Sequence, residues 1–107
     1  MKYKKLARID FVIRHNKKTM IGLLSLKYDF KRYFIGKFLS NKNFQKKGVM
    51  KKAFINFVEY INKHYKIKFI YSETFKTNKI NINFNLKNGF KIISKYKNVI
   101  LMKKKMF

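Results

Sequence analysis

Ser40-Asn41-Lys42-Asn43-Phe44-Gln45-Lys46-Lys47-Gly48 is a polar segment that ends in glycine and leads directly into Val49-Met50-Lys51-Lys52-Ala53-Phe54. From Val49 to His64, Met50, Phe54, Phe57 and Ile61 recur at helical spacing, with Ala53 and Val58 beside them. Lys51, Lys52, Asn56, Glu59, Asn62 and Lys63 take the opposite face. The spacing predicts an amphipathic helix of about four turns. A helix start offers four unpaired backbone N–H groups and a partial positive charge. Glycine there lets a phosphate approach the backbone without a Cβ in the way, which makes the arrangement suitable for an anion. Lys46 and Lys47 add charge at the same point. One glycine before a helix is also an ordinary turn, so both readings stand on these residues alone.

Upstream, Ile9 to Arg14 alternates, with Ile9, Phe11 and Ile13 on one side. His15-Asn16-Lys17-Lys18 supplies a turn and Met20 to Leu26 a second strand, which is a hairpin signal. After a turn at Tyr28-Asp29-Phe30-Lys31, a third strand runs from Arg32 to Leu39. Downstream, Ile67 to Thr74 reads as a buried strand ending in Ser72-Glu73-Thr74. Within Lys76 to Asn88, Ile80, Phe84 and Lys87 fit a short helix closed by Gly89. Lys91 to Lys95 and Val99 to Met102 read as a closing antiparallel pair, with Lys103-Lys104-Lys105 as a solvated tail. The order is β-β-β-α-β-α-β-β, a mixed α/β (α+β) domain with a mostly antiparallel sheet. Without proline, a Gly/Ser linker or a repeat, residues 1–107 read as one domain.

Composition narrows the function. There is no cysteine, which excludes disulfide scaffolds, zinc ribbons and thiol nucleophiles. His15 and His64 lie far apart and only four carboxylates are present, so no metal site is expected. No apolar run approaches the ~20 residues of a membrane span. No apolar stretch of a secretory signal follows Met1-Lys2-Tyr3-Lys4-Lys5, and the expected compartment is the cytoplasm. The formal charge is +24, from 28 Lys+Arg against 4 Asp+Glu. Only three of the cations are arginine, the residue that base edges and bidentate phosphate contacts favour. Lys, Ile, Phe, Asn and Tyr make up 68 of the 107 residues, and all are built from A and T codons. Codon usage therefore accounts for the lysine coat ahead of selection for nucleic acid. The positive field still attracts any polyanion non-specifically, in a salt-dependent way. The phenylalanines fit a core better than base stacking, since they sit at buried periodicities.

Gln45-Lys46-Lys47-Gly48-Val49-Met50 resembles the acetyl-coenzyme A loop of the GNAT N-acetyltransferase superfamily, Gln/Arg-x-x-Gly-x-Gly/Ala. The distal part is similar in register: Asn78 is followed eleven residues later by Gly89-Phe90, with Ile82 and Phe84 between. The resemblance covers roughly Ile9 to Lys103 and implies a GNAT-like acyl-CoA-binding domain that lacks the usual first strand and two helices. It implies that the Leu39-Ser40 edge pairs with the pantetheine arm and that N–H groups of Gln45, Lys46, Lys47, Gly48, Val49 and Met50 hold the diphosphate. Asn78 would touch the thiol end or the pantetheine, and Glu73 matches a glutamate that serves as general base in several members; a strand-end carboxylate paired with one of the many lysines is the equal alternative for Glu73. Where the family often places a tyrosine that protonates the thiolate, this chain has Asn85. An amide hydrogen-bonds sulfur but donates no proton at a useful pKa, so water or another residue has to serve. The second small residue of the loop is Met50.

The expected function is transfer of an acetyl group from acetyl-CoA to a primary amine, without a metal, with retained coenzyme A binding ranked above turnover. Ile21-Gly22-Leu23-Leu24-Ser25-Leu26, Tyr28-Asp29-Phe30 and Ile35-Gly36 resemble amino-sugar acetyltransferases of the pseudaminic-acid type. Ribosomal-protein N-terminal acetyltransferases, with a peptide amine, come next. From other classes, the charge and interleaved aromatics suit a small basic nucleic-acid- or ribosome-associated binding protein. A homodimer is the third reading, because a sheet without its helices leaves apolar surface uncovered.

Overall fold

A computed structural model of the chain describes residues 7–39 and 48–107. β1 (Arg8–Arg14), β2 (Met20–Asp29) and β3 (Arg32–Leu39) form an antiparallel meander. Then come α1 (Val49–His64), β4 (Phe69–Phe75), α2 (Lys79–Lys87) and the hairpin of β5 (Phe90–Tyr96) with β6 (Val99–Lys105). The expected element order holds. The strands lie in the order β1-β2-β3-β4-β6-β5, and only β3 beside β4 is a parallel pair.

Boundaries move for local reasons. β2 runs to Asp29 because the turn needs only Phe30 and Lys31, both at positive φ (48° and 62°). Such a two-residue turn matches strand twist, so pairing continues down to Asp29 opposite Arg32. Tyr28 then faces Tyr33 across the strands, ring centroids 4.8 Å apart. Lys103-Lys104-Lys105 is no tail: the three pair with Tyr71, Ile70 and Phe69 of β4. Two anchors hold them there. Met106 is buried, its N–H donating to the Lys68 carbonyl at 2.7 Å, and the Lys103 ammonium lies 3.9 Å from the centroid of the Phe69 ring.

Both helices pack on one face of the sheet. Phe54, Phe57 and Ile61 of α1 and Ile82 of α2 meet Leu24, Leu26, Ile35, Ile70, Ile100 and Met102 of the strands. Phe57 is wholly buried, with Phe11 edge-on at 5.1 Å. Phe54 sits between Phe84 (5.9 Å) and Phe90 (6.0 Å) and so joins α1 to α2 and β5. Burying aromatics of this size stabilises by about 1.5–3 kcal/mol each, which makes this face the main source of stability. In α2 the inward positions are Ile82 and Asn85, and Ile80 is 76% exposed. The N-cap sets that rotation: Asn78 Oδ1 accepts the Asn81 N–H at 3.2 Å.

Among the described residues no helix covers the opposite face. Phe38, Phe75 and Tyr96 are exposed on it, with Phe34, Phe69 and Tyr71 half-buried. A good share of the aromatic residues therefore lies outside the core, against the expectation from their periodicity. Strand alternation gives two faces, and apolar spacing alone does not say which of them a helix covers.

Candidate functional site: a cleft where the parallel strands part

β3 and β4 are in register at one pair, Phe34 opposite Tyr71. From there to Leu39 the β3 edge is unpaired by β4 over about 16 Å at strand rise. A cleft of ≈ 280 Å³ opens beside this edge, lined in part by Lys37, Leu39, Met50, Asn78, Asn81 and Phe84. α1 begins at its mouth. Gly48 is the N-cap at φ 70°, ψ 15°, with no side-chain cap, and no acid lies in the first turn. Among the described residues a Cβ on Gly48 would meet nothing within 4 Å. Lys52 N–H makes the first helical bond, to the Gly48 carbonyl at 3.1 Å. The N–H groups of Val49, Met50 and Lys51 precede it, the donors a helix leaves without a partner.

A polar chain forms the floor of the cleft. Lys37 Nζ donates to Asn85 Oδ1 at 2.6 Å, and Asn85 Nδ2 donates to Ser72 Oγ at 3.1 Å. Ser72 and Thr74 hydroxyls are 3.3 Å apart, and Asn81 Nδ2 donates to Thr74 Oγ1 at 2.7 Å. Asn85 is fully buried and both ends of its amide are engaged, which satisfies a group that would otherwise be costly inside a core. Lys37 Nζ also lies 5.1 Å from the Phe84 ring centroid and 5.8 Å from that of Phe90. Among the described residues it has no carboxylate partner, and burial pulls its ammonium down to about 8 from 10.5.

Three sequence-predicted residues line this opening, Leu39, Met50 and Asn78, and Gly48 and Val49 stand beside it as the N-cap and first residue of α1. Asn85 lies beneath it, and Ser40, Gln45, Lys46 and Lys47 fall outside the described residues. Glu73 is elsewhere. It sits between buried Ser72 and Thr74, so its exposed side chain points to the helix-free face. There it lines a cavity of ≈ 380 Å³ with Phe30, Arg32, Phe34, Ser94 and Tyr96 among others. The Arg32 guanidinium lies 4.8 Å from the Tyr71 ring centroid nearby. β4 thus separates an acid on one face from a hydrogen-bonded cation on the other. Sequence reasoning missed Lys37, although the alternation Tyr33, Ile35, Lys37, Leu39 already places it on the helix-covered face. His64 lies at the end of α1 against Tyr60, with ring centroids 4.3 Å apart. Among the described residues no three His, Cys, Asp or Glu converge on a metal position, and no helix is long and apolar enough to cross a membrane.

A six-stranded mixed sheet that parts at its parallel pair, with a helix start lacking a side-chain cap at the opening, defines an α/β domain with a cleft between strands. The chain belongs to the family described as Acetyltransferase (GNAT) domain, whose model matches residues 2–91. Solved structures that share the fold include the following three. PaiA N-acetyltransferase of Thermoplasma acidophilum, in complex with coenzyme A, is 21% identical with a TM-score of 0.78 over 94% of this chain and 62% of its own. PH1933 of Pyrococcus horikoshii is 23% identical with a TM-score of 0.70 over 84% of this chain and 60% of its own. The N-acetyltransferase PseH of Campylobacter jejuni, solved also with acetyl coenzyme A, is 16% identical with a TM-score of 0.75 over 94% and 70%. The chain spans about three fifths of the length of the first two. No curated protein matches the sequence.

Proposed function

We propose that this chain is an acetyl-CoA-dependent N-acetyltransferase domain that joins an acyl donor in the cleft to an amine on the helix-free face. The observation that carries the reading is the cleft itself: an unpaired β3 edge leading from the Gly48 turn, which has no side-chain cap, to Lys37. Its parts fit an extended thioester with an anionic end. The first-turn N–H groups of α1 offer donors for phosphate, and the free N–H and C=O groups of β3 suit amides that mimic a strand. Gly48 leaves space that a Cβ would occupy. When bound, acetyl-CoA supplies an activated acyl carbon. Leu39 and Met50 position it, and Asn78 stands at the cleft wall.

On the other face, Glu73 is placed to take a proton from an incoming ammonium, directly or through water. The rings of Phe30, Phe34 and Tyr96 offer stacking surfaces and Arg32 a cation beside them. That combination supports a sugar-nucleotide amine over a simple polyamine, whose positive charge would meet Arg32 and the +24 field. The test is isothermal titration of the protein with acetyl-CoA and with coenzyme A. Micromolar to millimolar binding that competes between the two supports the reading. No heat and no thermal shift at millimolar ligand overturns it.

A second reading has one observation in its favour. Phe69 and Tyr71 lie half-buried on the helix-free face with Lys103 across both rings, at 3.9 and 5.8 Å, an aromatic and basic surface of the kind that stacks unpaired bases. Electrophoretic retardation of single-stranded RNA that survives moderate salt and is lost in Tyr71→Ala would favour it. Retardation abolished by moderate salt is the charge alone.

A further inference from the structure

We propose that Lys37 is the residue that delivers a proton to the departing sulfur of the acyl donor, with Asn85 as its positioning residue. The inference rests on the acetyl-CoA reading above and adds an assignment to it. Where the family resemblance puts a tyrosine there is an amide, and that amide is spent: Asn85 is buried, bound at Oδ1 by Lys37 and at Nδ2 to Ser72. Lys37 is on the floor of the same cleft and has protons to give.

Position follows from the strand. A ligand whose anionic end sits at Gly48 and whose chain runs along β3 toward the Phe34–Tyr71 closure meets Leu39 first and Lys37 two residues deeper. That is about 7 Å further along the edge, so the tip of the ligand is the part beside Lys37. The groups facing Lys37 are Asn85 and Phe84 of α2 and Phe90 of β5, and none of them titrates. An uncompensated ammonium held among rings and amides is drawn to whichever anion enters. A thiolate is such an anion. Burial alone also brings the Lys37 ammonium to about 8, near the range of a thiol, so that transfer between them is close to balanced.

The step balances in atoms and charge. The amine nitrogen bonds to the acyl carbon, the carbon–sulfur bond breaks with its electron pair on sulfur, and sulfur takes a proton from Lys37 Nζ. The surplus proton on nitrogen passes to Glu73 or water, and the neutral Lys37 amine is reprotonated from solvent. The products are an amide and a free thiol.

The experiment reads the thiol directly, by its ultraviolet thiolate absorbance against pH, for coenzyme A bound to the wild-type protein, to Lys37→Met and to Lys37→Arg. Bound to wild type, the thiol should titrate at least about one pH unit lower than in free coenzyme A. Lys37→Met should abolish that shift, with affinity for desulfo-coenzyme A changed less than about threefold. Lys37→Arg, a cation that cannot give up its proton, should keep the shift and still lose about a hundredfold or more in single-turnover acetyl transfer. Coenzyme A binding with the same thiol titration in wild type and Lys37→Met overturns the assignment and leaves the acetyl-CoA reading standing. Should Lys37→Met not fold, an unshifted thiol on the wild-type protein overturns the assignment by itself. Failure of wild type to bind coenzyme A removes both.

Discussion

Replacing Lys37 by methionine should change how stability depends on pH more than it changes stability at any one pH. Lys37 holds its ammonium on a hydrogen bond to Asn85 at 2.6 Å, with no carboxylate among the described residues, and burial lowers its pKa from 10.5 to about 8. Below pH 8 the lysine is charged both folded and unfolded, and the cost of desolvating it is fully present. Between about 8 and 10.5 the folded protein releases this proton first, so the unfolded chain binds more protons and stability rises with pH. Above 10.5 both states are neutral and the cost is gone. A shift of this size corresponds to about 3 kcal/mol, which partial solvent access reduces to about 2–3 kcal/mol. The absolute effect of the substitution is mixed, because methionine removes the cost but leaves Asn85 Oδ1 without its donor, at about 1–3 kcal/mol. The slope is free of that ambiguity. Urea denaturation of both proteins from pH 7 to about 10.5 should show wild type gaining about 2–3 kcal/mol relative to Lys37→Met, at up to about 1.4 kcal/mol per pH unit. The two proteins share every other residue, so the comparison isolates position 37. Parallel curves would refute the reasoning, since they would mean that Lys37 is solvated like any surface lysine.

Glu73→Gln should lower kcat for acetyl transfer by about 10²–10⁴-fold and leave the coenzyme A Kd unchanged, because Glu73 and the cleft lie on opposite faces of β4. Separate measurement of binding and turnover checks it, and a large change in Kd would place Glu73 in the donor site instead. Gly22→Ala should cost about 1–3 kcal/mol in chemical denaturation, since the new Cβ would lie 2.5 Å from the Phe38 carbonyl oxygen. It would also lie 2.7 Å from the Leu39 side chain, so the β3 edge must shift and coenzyme A affinity should fall with it.

Most of the fold was legible because its signals are periodic. The alternation of β1 and β3 and the Met50, Phe54, Phe57, Ile61 spacing each name an element and its buried side, and the structure has them in the expected order. What periodicity cannot carry is the end of an element decided by a distant partner. Lys103-Lys104-Lys105 is a tail by charge but a strand by pairing, because Met106 behind it is buried and Phe69 and Tyr71 accept the Lys103 cation. The Ile80, Phe84, Lys87 spacing names the short helix but not its buried side: Ile80 is 76% exposed, and the inward residues are Ile82 and Asn85.

The site divides along the same line. Gly48 and Asn78 stand out in the sequence because motifs that resemble the family's fix their spacing; in the structure Asn78 lines the cleft with Leu39, and Gly48 caps the helix that starts beside it. For Lys37 the alternation of β3 gives only the face: one lysine among 25 has no composition signal, and its distinction lies in three neighbours contributed by α2 and β5. Asn85 was legible as the departure from the tyrosine pattern, yet its meaning depends on who binds it. A tyrosine hydroxyl would point a donor at the ligand. A fully buried asparagine turns its acceptor to Lys37 and its donor to Ser72, and so aims a cation instead. On the proposed reading the proton donor is Lys37, 48 residues from Asn85 in the chain and hydrogen-bonded to it on the floor of the cleft. The two belong to one hydrogen bond, which is why neither could be interpreted from its own place in the chain.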